Sequence, residues 1–198
     1  FIYGKIDLYL VITKQLHNEA KKYLPLKKSI IHVLSYGICK PDDKLSISKK
    51  AFYDKYNMES SVFSIGVFSR IEEQKGQHLL IEAIRQSKHK IQLFIVGHCM
   101  DEKYKNQLEN ISSEYNLSSH ICFTGFLHSP MNYMPFFNLV VLPTYEETFG
   151  LVVAEAMLMK VPVLGSNAGG VPEIITHESN GLLFETRNYN DLQDKIDM

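Results

Sequence analysis

Cysteine is scarce in this sequence of 198 residues, and the three cysteines lie far apart at Cys39, Cys99 and Cys122. This spacing fits neither a disulfide framework nor the paired cysteines of a zinc site. The eight histidines include no His-Glu-x-x-His motif and no pair at metal-binding spacing. We therefore expect no metal, and a protein of a reducing compartment such as the cytoplasm.

The sequence also lacks an excess of either charge and any long hydrophobic run. Lysine and arginine total 21 against 22 aspartates and glutamates, so no strongly basic face for nucleic acid is expected. No apolar run approaches the roughly 18 residues of a membrane span, and the first residues lack the order of a signal peptide. Because the chain does not begin with methionine, we expect it to be a piece of a longer protein.

The sequence does contain a regular alternation of short β-rich runs and helical patterns, which is typical of βαβ units and a parallel sheet. Six strands are predicted after residue 60, at 62–68, 91–96, 120–123, 139–142, 161–164 and 181–184. Helices are predicted near 77–86, 101–115, 131–136, 149–159, 172–176 and 190–196. Residues 61–198 are thus expected to form a Rossmann-like, doubly wound α/β domain with a parallel sheet.

The first 60 residues are interpreted separately. Residues 1–40 contain two predicted strands, at 8–12 and 30–34, and a helix near 14–23 that Thr13 is placed to cap. Two strands are too few for an independent core, so this segment is expected to be the tail of a preceding domain. Residues 41–60 begin in a polar stretch that contains proline, and they are interpreted as an interdomain linker.

Ligands of an open parallel sheet bind beyond the carboxyl ends of its strands, and three loops there are unusual. The loop after the first strand of the domain places Arg70 and Lys75 five residues apart, just before a helix. Arginine binds phosphate through two parallel hydrogen bonds and lysine binds it as a point charge. The alternative is a pair of solvated surface cations.

Two carboxylates mark the loop and the helix that follow the fourth strand. Glu155 is the only charged residue of the run 149–159, and a buried carboxylate is costly unless donors satisfy it. Side chains on a helix lean toward its N-terminus, so Glu155 is expected to point back toward Glu147. The free amides at the helix start suit a phosphate oxygen, and Gly150 lets a ligand approach closely. The alternative is that a neighbouring loop amide holds Glu155 as a core carboxylate.

The third unusual loop contains Gly169 and Gly170 and runs into a helix with Pro172 in its first turn. It is a second candidate site for an anion, and a plain tight turn is the alternative explanation. The dinucleotide fingerprint Gly-x-Gly-x-x-Gly is absent. A Rossmann dehydrogenase is therefore the weakest candidate.

Taken in order, these residues resemble the C-terminal half of retaining nucleotide-sugar glycosyltransferases. The pattern consists of Arg70…Lys75-Gly76, Gly97, Gly125, Glu147-Thr-Phe-Gly-Leu-Val-Val-Ala-Glu155, Gly169-Gly170-Val-Pro-Glu173 and Asn180-Gly181. The resemblance is to glycosyltransferase family 4, whose architecture of two Rossmann-like domains is called GT-B. It covers roughly residues 61–198, and the opening segment looks like the last βαβ unit of that family's acceptor domain.

The resemblance implies a role for each matching residue. The side chains of Arg70 and Lys75 would bind the donor diphosphate. The backbone amides of Phe149, Gly150 and Leu151 would bind it as well. Glu155 would accept hydrogen bonds from the ribose hydroxyls, and Glu147 would act as the catalytic residue that contacts the donor sugar. Gly169 and Gly170 would make sugar or loop contacts. No metal or other cofactor is implied, since cations and helix dipoles replace it.

The function predicted from the resemblance is transfer of a hexose-type sugar from a nucleotide-diphosphate donor to a glycan or lipid-linked acceptor, with retention of configuration. Retention is usually explained by attack on the face from which the diphosphate leaves, with no protein nucleophile. This fragment alone is expected to be inactive. A non-catalytic nucleotide-sugar binding module and a GT-B epimerase or glycogen-type enzyme stay open as alternatives. Peripheral contact with the inner membrane surface through the acceptor domain is also expected, and no nucleic-acid partner is.

The sequence departs from the family pattern at four places, which are Tyr36-Gly37, Ser69, Gly97-His98-Cys99-Met100 and Met159-Lys160. None of these changes removes a charge assigned to the diphosphate or the ribose. Gly97-His98-Cys99-Met100 replaces a common Gly-acidic-Gly turn of the family, so the local shape near the donor base is not carried over from the resemblance. A loop histidine without a catalytic role is favoured for His98 over a donor contact.

Overall fold

The structure is a computed structural model, and it describes residues 7–24, 30–41 and 45–198. Its smaller unit contains β1 (Leu8–Val11), α1 (Lys14–Tyr23) and β2 (Ile30–Val33), and the two strands pair in parallel. The Thr13 hydroxyl accepts a hydrogen bond from the Leu16 N–H at 3.2 Å, which is the predicted cap. No residue of α1 is buried, so this unit contributes little core of its own.

The larger unit is a six-stranded parallel sheet. Its strands are β3 (Phe63–Phe68), β4 (Ile91–Val96), β5 (Ile121–Gly125), β6 (Leu139–Leu142), β7 (Val163–Ser166) and β8 (Leu182–Phe184). The spatial order is β5-β4-β3-β6-β7-β8, and every pair is parallel. The chain winds outward from β3 to β5, crosses back to β6 beside β3, and continues outward to β8. This order confirms the predicted doubly wound, Rossmann-like α/β fold.

Helices cover both faces of this sheet. They are α2 (Lys49–Lys55), α3 (Gln77–Gln86), α4 (Glu102–Glu114), α5 (Leu151–Leu158), α6 (Val171–Ile174) and α7 (Tyr189–Ile196), with 3₁₀ turns at Glu73–Lys75 and Pro130–Phe136. Successive side chains of a strand point to opposite faces. In β4, Leu93 and Ile95 therefore pack with α3, α4 and α7, whereas Phe94 and Val96 pack with α2 and α5. Burial on both faces explains the continuous apolar runs of these strands.

Helix α2 lies within residues 41–60, the range interpreted as a linker, and the sequence did not predict it. The Ser48 hydroxyl caps it by accepting from the Ala51 N–H at 3.2 Å. Phe52 stacks on Phe94 with 5.7 Å between ring centroids, and both Phe52 and Tyr53 are fully buried. Residues 49–55 are therefore core elements of the large domain and not a free connection. The boundaries placed at residues 40 and 60 stay predictions.

Candidate functional site

The reversal of strand order creates a crevice beyond the carboxyl ends of β3 and β6, which is where doubly wound sheets bind ligands. The loops that follow these strands touch each other there. The Tyr145 N–H donates to the Gln74 carbonyl at 2.9 Å. Gly76 has φ +67, and a side chain at this position would collide with the Pro143 carbonyl. Backbone contacts thus hold the predicted cationic loop against the predicted carboxylate loop.

Two of the predicted charged residues, Lys75 and Glu147, meet across these two loops, whereas Arg70 pairs within its own loop. Lys75 Nζ lies 3.1 Å from Glu147 Oε2, and their side chains are only 17% and 20% exposed. Arg70 Nη2 lies 2.9 Å from Glu72 Oε1, and the Arg70 side chain is 59% exposed. The Glu72 oxygen makes no hydrogen bond despite this distance, so the Arg70 pair rests on charge proximity. The Lys75–Glu147 pair is the more shielded of the two, and its charges interact more strongly.

A cleft of about 590 Å³ opens over this charge cluster. Its lining includes four residues that the sequence singled out, which are Arg70, Lys75, Glu147 and Gly169. Gln15, Leu16 and Glu19 of α1 also line the cleft. The loops after β3, β6 and β7 and one helix of the smaller unit therefore line a single cleft. Phe149, Gly150, Leu151, Glu155 and Gly170, which were also predicted, do not line it.

Glu155 lies on α5, the helix that begins beside the cleft. Gly150 precedes α5 in the left-handed conformation, with φ +94, and no side chain caps the first turn. The N–H groups of this turn therefore remain suitable for an anion. The Glu155 carboxylate is half-buried, and no residue in the described ranges donates to it or pairs with it. Burial raises the pKa of Glu155 above its ordinary value.

The glycine-rich turn packs directly on the Glu147 loop. The Gly170 N–H donates to the Glu147 carbonyl at 2.8 Å. Gly169 has φ +57, and a side chain there would overlap the Glu147 carbonyl. At Gly170 an added Cβ would lie 2.8 Å from Phe149 Cα. Both glycines are thus required by close backbone packing, and Gly169 also borders the cleft.

A hydrogen-bonded chain of three aromatic side chains supports the cleft from behind, and the sequence did not predict it. The hydroxyl of Tyr145, which lines the cleft, lies 2.6 Å from His78 Nε2, and His78 Nδ1 lies 2.7 Å from the Tyr104 hydroxyl. The Tyr104 oxygen already accepts from the His78 backbone N–H at 3.2 Å. Tyr104 can therefore donate to Nδ1, which leaves Nε2–H to donate to Tyr145. Burial lowers the pKa of His78 and favours this neutral ring.

A second aromatic feature lies at the same edge of the sheet, after β4 and β5. The His98 ring stacks on Phe126 with 4.5 Å between centroids and an interplanar angle of 15°. The Phe126 side chain is largely exposed. The sequence favours a loop histidine without a catalytic role at His98, and neither ring borders the cleft. The sequence contains both residues, but it does not show that their loops are adjacent.

Residues 7–24, 30–41 and 45–198 contain neither a metal-binding cluster nor a helix that could span a membrane. No group of three or more His, Cys, Asp or Glu side chains in these ranges is arranged to hold a metal ion. The helices of the same ranges are all too short or too polar to cross a membrane. The expected independence from metal remains a prediction.

Known proteins resemble this chain over most of its length. A capsular polysaccharide biosynthesis glycosyltransferase of Staphylococcus aureus, CapM, is 24% identical over 177 residues, which cover 86% of the chain and 46% of the relative. An uncharacterized glycosyltransferase of Methanocaldococcus jannaschii is 33% identical over 192 residues, or 96% of the chain and 48% of the relative. The chain thus spans about half the length of these curated relatives.

Solved structures share the fold. A glycosyltransferase of Rickettsia africae superposes with a TM-score of 0.88 at 22% identity, over 96% of this chain and 52% of that one. Anabaena HepE, solved with UDP and glucose, superposes with a TM-score of 0.82 at 24% identity, over 96% and 53%. The family model described as "Glycosyl transferases group 1" matches residues 48–198. The chain therefore belongs to the group 1 glycosyl transferases and has the Rossmann-like fold of one half of a GT-B enzyme.

Proposed function

We propose that this chain contains the donor-binding domain of a retaining hexosyltransferase of glycosyltransferase family 4. The enzyme would transfer a hexose-type sugar from a nucleotide diphosphate to a glycan or lipid-linked acceptor. The observation that carries the proposal is that Arg70, Lys75 and Glu147 line one cleft at the crevice between β3 and β6, beside the helix that bears Glu155. A crevice at this position is the general ligand site of the fold.

The diphosphate is assigned to the cationic side of the cleft. Arg70 is mostly exposed, so its guanidinium group is accessible for two parallel hydrogen bonds to phosphate. Lys75 is shielded from solvent, so its ammonium group acts as a strong point charge. The amides of Phe149, Gly150 and Leu151 at the start of α5 supply neutral donors, and the helix dipole adds partial positive charge. These groups would stabilise the charge that develops on the leaving diphosphate.

The ribose is assigned to Glu155. A half-buried carboxylate whose pKa is raised by burial, with no donor in the described part of the chain, has acceptor capacity for two hydroxyl groups. Neighbouring ribose hydroxyls match that capacity and would compensate the cost of burying the charge. Because side chains of a helix lean toward its N-terminus, the carboxylate is directed toward the N-terminal end of α5, which lies beside the cleft.

The sugar is assigned to Glu147, whose carboxylate lies on the cleft wall in contact with Lys75. In the reaction, the bond between the anomeric carbon and the diphosphate oxygen breaks, and the acceptor oxygen forms a new bond on the same face. The acceptor proton passes to the leaving diphosphate oxygen. Glu147 would orient the sugar and stabilise the positive charge of the transition state, and no covalent enzyme intermediate is required.

Relatives and neighbours support a nucleotide-sugar donor and a polysaccharide-related role. HepE has been solved in complex with UDP-glucose. Similar proteins include an O-antigen biosynthesis glycosyltransferase of Escherichia coli and a GDP-mannose-dependent mannosyltransferase of Mycobacterium tuberculosis. HepE was solved with UDP-glucose and the mannosyltransferase depends on GDP-mannose, so the donor base and hexose of this chain need a direct measurement. A cytoplasmic location at the inner membrane surface fits such substrates and belongs to the proposal.

The test is calorimetric titration of the intact protein with UDP, GDP and ADP. We expect selective binding of one nucleotide and a 10- to 150-fold loss in Arg70→Ala, the effect of about 1.5–3 kcal/mol for a charge-assisted hydrogen bond. Arg85→Ala, which removes an exposed arginine from α3, is the matched control and should bind normally. Failure of the wild-type protein to bind any nucleotide would refute the proposal.

A second measurement separates the enzyme from the non-catalytic binding module. The intact protein is incubated with the sugar conjugate of the nucleotide that binds and with a mixture of glycan and lipid-linked acceptors. Transfer to an acceptor, with the anomeric configuration of the donor preserved in the product by NMR, is the expected result. Binding without transfer would favour the module, and an inverted product would exclude the retaining mechanism.

A further inference from the structure

Helix α1 begins directly on a side chain of the larger domain. The backbone N–H groups of Lys14 and Gln15 donate to the two carboxylate oxygens of Glu173, each at 2.9 Å. Glu173 lies on α6, 158 residues away from Gln15 in sequence. A carboxylate at a helix N-terminus satisfies amides that lack partners within the helix and interacts favourably with the helix dipole. Glu173 therefore caps a helix that is remote in the chain.

Other contacts between the two units fall at the same place. Thr13, the cap residue of α1, is only 1% exposed, and a Cβ added to Gly170 would lie 2.9 Å from its methyl group. Tyr36, which follows β2, packs edge-on against Phe149 with 5.3 Å between ring centroids. The smaller unit thus contacts the glycine-rich turn, α6 and Phe149, which lies two residues before α5. These are the segments that carry or border the proposed donor site.

This docking turns one face of α1 into a wall of the cleft. Gln15, Leu16 and Glu19 line the cleft that Arg70 and Lys75 also line. The Gln15 side-chain amide donates to Glu19 Oε1 at 2.9 Å, which fixes both side chains relative to each other. The Gln15 carbonyl oxygen and the second Glu19 oxygen retain acceptor capacity for hydroxyl groups.

We propose that Glu173 is a positioning residue that holds α1 in place, and that Gln15 and Glu19 bind hydroxyl groups of the donor sugar from this wall. The inference rests on the proposed function. A carboxylate repels phosphate, so the α1 wall suits the uncharged hexose, whereas Arg70 and Lys75 suit the diphosphate. A helix of ten residues is marginally stable alone. Its orientation therefore depends on contacts such as those made by Glu173.

The test compares Glu173→Gln, Gln15→Ala and the control Glu178→Gln in the intact protein. Glu178→Gln makes the same change of charge five residues from Glu173, at an exposed carboxylate that does not contact α1. Affinities are measured for UDP and UDP-glucose and for GDP and GDP-mannose. Hydrogen exchange of the α1 amides is followed in parallel. Gln15 is exposed, so Gln15→Ala is expected to fold even if Glu173→Gln does not.

The expected changes concern the nucleotide and sugar nucleotide that the wild-type protein binds. Glu173→Gln and Gln15→Ala should each lower the affinity for the sugar nucleotide by about 5-fold, the effect of one lost hydrogen bond, and leave the affinity for the nucleotide unchanged. Glu173→Gln should also accelerate exchange in the first turn of α1 by about 5-fold, the effect of losing a helix cap. Equal weakening of both ligands, or no weakening of either, would overturn the assignment of the wall to the sugar. Unchanged exchange would overturn the role of Glu173. A wild-type protein that binds no nucleotide contradicts the proposed function, and the exchange measurement still decides whether Glu173 holds α1.

Discussion

Replacing Glu155 with glutamine is predicted to stabilise the protein and to weaken nucleotide binding. The carboxylate is half-buried in an apolar helix with no partner in the described ranges, and burial raises its pKa above 4.5. A group whose pKa is higher in the folded protein stabilises it below the unfolded pKa and loses that contribution as pH rises through the folded pKa. At pH 7 the charged Glu155 therefore lowers the free energy of unfolding, and glutamine, with nearly the same shape, relieves this cost.

The loss of binding has a definite expected size. Charge-assisted hydrogen bonds contribute about 1.5–3 kcal/mol and neutral ones about 0.5–1.5 kcal/mol. Glutamine keeps an acceptor oxygen but loses the charge, so the difference of about 1.4 kcal/mol corresponds to a tenfold weaker affinity. The effect should vanish for a 2′,3′-dideoxy nucleotide, which lacks the hydroxyls assigned to Glu155. Wild-type protein should therefore discriminate against the dideoxy ligand about tenfold more strongly than Glu155→Gln.

Two assays check this prediction. Chemical denaturation without nucleotide, from pH 4 to pH 8, should show the Glu155→Gln variant as the more stable protein at pH 7 and an advantage that shrinks toward pH 4.5. Calorimetry with the ribonucleotide and the dideoxy nucleotide measures the discrimination. Glu114→Gln, at an exposed position of α4, is the control and should change neither quantity. A Glu155→Gln variant that is no more stable at pH 7, or that binds both nucleotides as wild type does, would refute the reasoning.

Three further predictions concern the support of the cleft. Because burial lowers the pKa of His78 below 6.5 despite the nearby charges of Glu73 and Glu82, stability should fall as pH drops below 6.5. His78→Gln should flatten that dependence in denaturation curves between pH 5 and pH 7; an unchanged slope would contradict it. Gly169→Ala should lower the free energy of unfolding by about 1–3 kcal/mol, since its φ is +57 and the Glu147 carbonyl fills the space, whereas Gly37→Ala, with nothing within 4 Å, should be nearly neutral. Lys75→Met should lower the affinity for nucleotide diphosphates at least tenfold and leave the affinity for the nucleoside unchanged. An equal loss of affinity for both ligands would show that Lys75 does not contact the phosphates.

Local sequence pattern predicted the elements whose ends carry clear signals. The predicted ranges of α3, β4 and β6 agree with the structure at both ends, because apolar runs stop there at glycine, proline or polar residues. Helix α5 was predicted to start at residue 149, but it starts at Leu151 because the backbone of Gly150 has a left-handed conformation. The strand predicted at 161–164 is observed at Val163–Ser166. Val161 instead bonds back to Ala156 at the end of α5.

Helix α2 could not be predicted because its stabilisation is not local. Three lysines and one aspartate make up four of its seven residues. That composition is typical of an exposed connection. Its reason for folding is the contact of Phe52 and Tyr53 with rings that follow much later in the chain, among them Phe94 and Phe137. Tertiary packing of this kind overrides local propensity.

The candidate site was predictable as a set of residue types but not as a set of contacts. The rule that ligands lie beyond strand ends selected Arg70, Lys75 and Glu147, because each follows a predicted strand. Their meeting depends on β6 lying beside β3, and the order of strands in the chain does not state this adjacency. The cap that Glu173 provides for α1 and the chain from Tyr145 to Tyr104 likewise join segments distant in sequence. Neither leaves a periodic signal.

The structure also separates residues that folding explains from one that it does not. Gly169 and Gly170 are required by backbone packing, and Lys75 and Glu147 satisfy each other as an ion pair. These contacts give each of them a structural role in addition to any role in the donor site. Glu155 differs, since its burial raises the pKa of the carboxyl and nothing in the described ranges compensates it. A destabilising charge beside a site is usually kept for what it binds. Glu155 therefore adds independent support to the donor site that Arg70, Lys75 and Glu147 mark.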